Sequence, residues 1–148
     1  MVTNRRYALH SPNKTTGFIG IVSFHQNDDG HNFTVDQEFK FVTANGLTIT
    51  VPSGFQTDLA SVPKIFWNII PPFGFVTDGS VVHDFLYRHS GFIENAYHGT
   101  PRQLTRKECD DVLLEAMRDC HTPKWQQVVI YRAVRWFGWA AWRQDAKK

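Results

Sequence analysis

The run Asn45-Gly46-Leu47-Thr48-Ile49-Thr50-Val51-Pro52 carries a turn, a strand and a stop in eight residues. Asn45-Gly46 is a hairpin signal because both residues tolerate positive φ. Leu47, Ile49 and Val51 alternate with Thr48 and Thr50, the period of a strand burying one face. Pro52 closes it, having no amide hydrogen to give a ladder. Upstream, Phe33, Val35, Phe39 and Phe41 recur with even spacing and read as further strand. Phe18, Ile19, Ile21, Val22 and Phe24 form a short apolar run, and Gln26-Asn27-Asp28-Asp29-Gly30 supplies turn formers after it. Residues 17–56 are therefore expected to be mainly β, with no pairing order readable.

From residue 57 the period changes. Pro63, Pro71 and Pro72 bracket residues 64–70, which suit one or two helical turns. Val82 and Leu86, four apart, place a helix over 79–89. Residues 90–104 read as an irregular loop, longer than the usual connection. Thr105-Arg106-Lys107-Glu108 is a capping box that opens a helix to residue 120. Thr122-Pro123 caps a last helix reaching residue 142, with Trp125, Val128, Val129, Val134 and Phe137 as its apolar face. Residues 63–142 are thus expected to be mainly α. Strands followed by helices argue an α+β fold, with N-terminal antiparallel strands and then three main helices, in one domain over 1–148.

The composition agrees with a packed core. The chain has 148 residues, 42% of them hydrophobic and 20% charged, and its 12 Phe and 5 Trp form a large rigid apolar payload. The formal net charge of +2 is too small to argue for nucleic acid, and no zinc finger or glycine-rich phosphate loop is present. Basic residues cluster at Arg102, Arg106 and Lys107 and again at Arg132, Arg135 and Arg143; they read as solvated charge, and no specific nucleic-acid partner is expected. No signal peptide or membrane-spanning run is read, which places the chain in its host's cytoplasm after synthesis. Cys109 and Cys120 lie about 16 Å apart along one helix, too far for a disulfide, and read as buried thiols.

The residues that suggest chemistry are Ser80-Val81-Val82-His83-Asp84-Phe85-Leu86-Tyr87-Arg88-His89. On a helix His83 and Tyr87 share a face, with Asp84 about 100° around. If the next helix packs antiparallel, Asp110 or Asp111, preferentially Asp110, reaches the imidazole. A carboxylate there would hold one ring nitrogen's proton and leave the other as a base toward water. Asp58, where the chain leaves its last strand, either caps the turn before Pro63 or points at His83 and Asp84. In the second case Asp84 and Asp58 suit a divalent cation, with Ca2+ the first choice and Zn2+ the second. His83 is expected to be partly exposed, so that replacing it spares the fold. Trp136, Trp139 and Trp142 drift along one flank of the last helix and suit core, a protein interface or a membrane surface.

Residues 51–63, Val-Pro-Ser-Gly-Phe-Gln-Thr-Asp-Leu-Ala-Ser-Val-Pro, followed by Val82-His83-Asp84-Phe85-Leu86-Tyr87, resemble a small family of tailed-phage and prophage proteins. That resemblance covers roughly 33–140 and implies a virion, lysis or host-takeover role. Separately, His83-Asp84-Phe85-Leu86-Tyr87-Arg88 with Asp110 resembles the helix pair of bacterial secreted phospholipases of the A2 class, over about 79–120. By that similarity His83 is the base, Asp84 the calcium ligand, and Tyr87 and Asp110 the network supporting the histidine. The glycine-rich calcium loop of that class has no counterpart in Gln56-Thr57-Asp58-Leu59-Ala60-Ser61, so either Asp58 substitutes as a ligand, or the helical pair serves another hydrolysis, or it is a relic scaffold. Two functions follow as expectations. One is a metal-dependent hydrolase acting on membrane phospholipid, with a peptidoglycan amide as second substrate. The other is a non-catalytic virion or tail assembly protein, partnered by other phage proteins, whose His-Asp cluster is structural.

Overall fold

The computed structural model describes residues 3–6, 15–59 and 75–145. The apolar run at 18–24 does not make one strand. Gly20 takes a φ of 97° and Ile21 turns outward, so the run splits into β2 (Gly17–Ile19) and β3 (Val22–Gln26). Glycine adopts that φ without a Cβ penalty, and here it passes the chain from one sheet to another. β3 lies between β1 (Thr3–Arg6) and β4 (Phe33–Val35), and β7 (Gln56–Thr57) completes the sheet in the order β1-β3-β4-β7. β2 pairs with β5 (Phe39–Val42), which pairs with β6 (Thr48–Val51), in a second sheet. The pairings are antiparallel, as expected. Polar residues 3–6 carry no strand signal, and β1 forms by pairing with β3.

The even spacing of Phe33, Val35, Phe39 and Phe41 serves two strands in different sheets, and all four side chains are buried. The register sets Phe39 against Val51 and Phe41 against Ile49. Phe18 packs on Phe41 with ring centroids 4.9 Å apart. Such aromatic pairs add about 0.5–1.5 kcal/mol beyond the area they bury. The Asn45-Gly46 turn forms, with Gly46 alone at positive φ (87°) and its amide donating to Thr43 O at 2.9 Å. This is a type I turn closed by a left-handed glycine. Pro52 ends β6, and the next turn returns the chain so that Thr57 lands buried on β7.

The helical turns expected over 64–70 lie outside the described residues. The helix expected over 79–89 runs instead from Phe75 to Arg88 (α1). The irregular loop expected over 90–104 is a hairpin, β8 (Phe92–Tyr97) and β9 (Thr100–Gln103), which interrupts the helical half. His98 and Gly99 both take positive φ at its tip, the turn that matches strand twist. Its residues are mostly exposed, so no apolar alternation marks it in the sequence.

α2 (Arg106–Asp119) opens on the expected capping box, with both reciprocal bonds made between Thr105 and Glu108. Its buried stripe includes Cys109, Val112, Leu113, Ala116 and Met117. α3 (Lys124–Asp145) is longer than expected. Thr122 does not cap it: the Thr122 hydroxyl is buried without a partner among the described residues, and the carbonyl of Pro123 accepts the first helical bond, from Gln127 N. The apolar face expected for this helix is largely its outer one. Ile130, Ala133, Val134 and Gly138 are buried, whereas Trp125, Val128 and Phe137 are exposed. Ile130 and Val134 share a core cluster with Leu113 and Met117 of α2, and that contact sets the helix rotation. Cys109 and Cys120 are buried free thiols, and burial, reinforced by the Asp110 and Glu108 charges, pushes Cys109 up to about 12.

Candidate functional site

α1 and α2 pack antiparallel and close. A Cβ added to Gly79 would sit 3.3 Å from Ala116 Cβ, so the glycine lets the two backbones approach. One turn further along α1, His83 meets Asp110, with Nε2 2.7 Å from Oδ1. The Tyr87 hydroxyl donates to the same oxygen at 2.6 Å. Oδ2 accepts from Arg135 Nη1 of α3 at 2.7 Å and from Arg106 Nη1 at 3.4 Å. Arg106 also donates to the carbonyls of Val134 and Arg135, at 3.0 and 3.2 Å. Tyr87 meets Trp142 edge-on at 5.2 Å and closes the cluster against α3. The dyad expected from the sequence is therefore present as geometry, chosen correctly between the two acids. Asp111 points outward to Lys107 and Tyr131.

Burial by itself would raise the Asp110 carboxyl. The hydrogen bond and charge of His83, with the Tyr87 and Arg135 bonds, outweigh burial and hold it below the usual carboxylate range. An ionised carboxylate only accepts, so His83 Nε2 carries the hydrogen. The Tyr87 phenol is raised, by burial first and then by the Asp110 charge and bond. This hydroxyl donates and does not ionise.

His83 was expected to be partly exposed, and it is not. His83, Tyr87 and Asp110 are each 0% exposed, with Arg135 and Trp142 of α3 set against Asp110 and Tyr87. A general base must come within hydrogen-bonding reach of a substrate proton or its water. Here both Asp110 oxygens are filled by protein donors, and the imidazole has no exposed surface. The arrangement is suited to holding three helices together through one buried charge.

Asp84 and Asp58 meet a cation of the chain's own. Asp84 Oδ2 accepts from Thr57 Oγ1 at 2.5 Å and from Arg88 Nε at 3.1 Å, while Arg88 Nη2 donates to Asp58 Oδ1 at 3.2 Å. One guanidinium thus bridges the two carboxylates expected to flank a metal ion. Burial raises the Asp84 carboxyl, opposed by the Thr57 bond and the Arg88 charge. Among the described residues no group of three or more His, Cys, Asp or Glu is placed to hold a metal. Asp58 is 43% exposed and Asp84 5%, so the pair forms a lip over a buried acid.

The basic residues are mostly committed as well. Arg102 pairs with Glu108 at 2.7 Å, Lys107 with Asp111, and Arg106 and Arg135 with Asp110. Sequence reasoning missed the roles of Arg106, Arg135, Arg88 and Thr57. Arg106 stands four residues before Asp110 and Arg88 four after Asp84, spacings that signal helical ion pairs. Arg135 and Thr57 are more than twenty residues from their partners and carry no such signal.

The fold and cluster define an α+β protein in which two antiparallel sheets lead into three helices joined by a sealed His-Asp-Tyr-Arg network. The chain belongs to the family described as "protein of unknown function (DUF1353)", whose profile matches residues 33–134. It is similar to the uncharacterized protein y4jT of Sinorhizobium fredii (strain NBRC 101917 / NGR234), with 32% identity over 108 residues. That match takes in 72% of this chain and 29% of the relative, so the chain spans less than a third of that protein's length. No solved structure matches the chain, and none supports the expected likeness to phospholipase A2. No helix among the described residues is long and apolar enough to cross a membrane.

Proposed function

We propose that the chain is a non-catalytic structural or assembly component of a phage or prophage particle, in which the His83–Asp110 cluster pins the helices and performs no chemistry. One observation carries the reading: the expected base and its carboxylate are both fully buried, with every Asp110 oxygen taken by protein donors. Removing the bonding partner of a buried charge is costly, so such a network holds one helix arrangement against others. The motif at 51–63 and 82–87 supports the phage context, and other virion or tail proteins are the partners it implies. The bridging Arg88 supports a charge-balanced surface where a hydrolase would keep an open cation site.

Mass spectrometry of purified particles, from a host carrying the chain within its native phage or prophage genome, tests this reading. The chain is expected in particles or assembly intermediates at a fixed ratio to other structural proteins. A parallel incubation with phospholipid vesicles or purified cell wall, with Ca2+ or Zn2+ present, is expected to give no products. Absence from particles, combined with turnover that His83→Ala abolishes at unchanged thermal stability, would replace this reading with the hydrolase.

A further inference from the structure

The outward face of α3 is a feature that the buried cluster does not use. Trp125, Val129, Arg132, Trp136, Trp139 and Arg143 follow at intervals of four, three, four, three and four residues. That spacing makes a seam able to lie along a second helix. Trp125, Trp136 and Trp139 are 55%, 66% and 52% exposed, and both arginines are exposed. None of the six is a carboxylate. Large apolar side chains left exposed along one helix face mark an interaction site.

The order of residues along the seam selects its occupant. Laid parallel on a copy of itself, the seam sets each arginine against its own counterpart. Laid antiparallel, about the level midway between Arg132 and Trp136, it pairs every position with a complement. Trp125 then faces Arg143 of the second copy, Val129 faces Trp139, and Arg132 faces Trp136, each pair occurring twice. The chain already makes this kind of contact internally, with the Arg143 guanidinium 5.4 Å from the Trp139 ring centre. The arginines lie in the middle of the seam and not along its margins. That suits a protein face with tryptophan and arginine at its centre better than a helix face sunk in lipid.

We propose that α3 is a self-complementary dimer face whose occupant is a second copy of this chain, with the two helices antiparallel. This inference does not rest on the assembly role argued above. Three tryptophans at about 200 Å² each, more than half exposed, give with the arginine stems roughly 500 Å² per copy. The pair then buries about 1,000 Å², the lower end for a specific interface, so the dimer is reversible and on the order of micromolar. The like-charged arginines of the two copies also keep the face positive. Added salt therefore tightens the dimer, whereas it weakens binding to an acidic partner or an anionic membrane.

Sedimentation equilibrium of the full chain over a broad concentration range reads the dissociation constant directly. Wild type is expected to dimerise reversibly, more tightly at high salt. W136R sets arginine against arginine at both symmetric points and is expected to weaken the dimer at least 10-fold. Adding R132W to W136R exchanges the pair across the two-fold and is expected to restore the constant to within about 3-fold. Circular dichroism matched to wild type confirms that these exposed substitutions leave the fold intact. A monomer at every concentration, or a double variant as monomeric as W136R, overturns the proposal. So does binding of the monomer to anionic phospholipid vesicles that salt abolishes, which would assign the face to lipid.

Discussion

Asp110 takes four side-chain donors from three positions in the fold: His83 and Tyr87 on α1, Arg106 on its own helix and Arg135 on α3. Asp110→Ala strands these donors, and breaking a buried charge network by one partner costs about 3–5 kcal/mol. Chemical denaturation should show that loss in the midpoint with little change in slope. Tyr87→Phe removes one donor and should cost about 1–2 kcal/mol in the same experiment. The Asp110 carboxyl is lowered in the fold, so its contribution is complete above the ordinary carboxylate range near 3.9 and is lost as pH falls through the lowered value. Asp84 has the opposite sign: its raised carboxyl lowers stability as pH rises through that range. Wild type should therefore lose more stability on acidification than Asp110→Asn, in unfolding curves taken from pH 6 to pH 2.5. At this scale the sequence was informative where spacing is local. His83 with Tyr87, and the choice of Asp110 over Asp111, follow from helix periodicity. The closing of the cluster does not, because Arg135 and Trp142, which meet Asp110 and Tyr87, stand on a helix that begins forty-one residues after His83.

Elements were legible where their periodicity reported burial on one side. β6 and α2 show this, the first through alternating Leu47, Ile49 and Val51, the second through a capping box ahead of its stripe. The β8–β9 hairpin was not legible, since most of its residues face water and only Ile93 and Ala96 are buried, three apart and without strand alternation. α3 was misread for the converse reason: apolar residues ring the helix, and the larger ones are on the outside. Its inner side depends on small residues. A Cβ on Gly138 would sit 2.7 Å from the Tyr87 hydroxyl oxygen, which is backed by the buried Asp110. Gly138→Ala should therefore destabilise by about 1–3 kcal/mol in thermal unfolding, although alanine is the better helix former by about 1 kcal/mol. An increase in stability would show that the helices can separate freely at that point. Thr105→Ala, which removes one half of the capping box, should cost about 1 kcal/mol without touching the cluster.

At the scale of the whole molecule, the β1-β3-β4-β7 sheet delivers Thr57 to α1, and α3 closes the cluster made by α1 and α2. The α+β order was readable because strands and helices are segregated along the chain. The division into two sheets was not, because a single glycine breaks one apolar run between them. The seal over His83 separates a structural pin from a catalytic base. Acylation by diethyl pyrocarbonate, read residue by residue by mass spectrometry, measures it directly because the reagent must touch an unprotonated ring nitrogen. Exposed His31, His98 and His121 should react while His83 stays unmodified until the protein unfolds. Modification of His83 in the folded chain, at the pace of the exposed histidines, would contradict the sealed cluster.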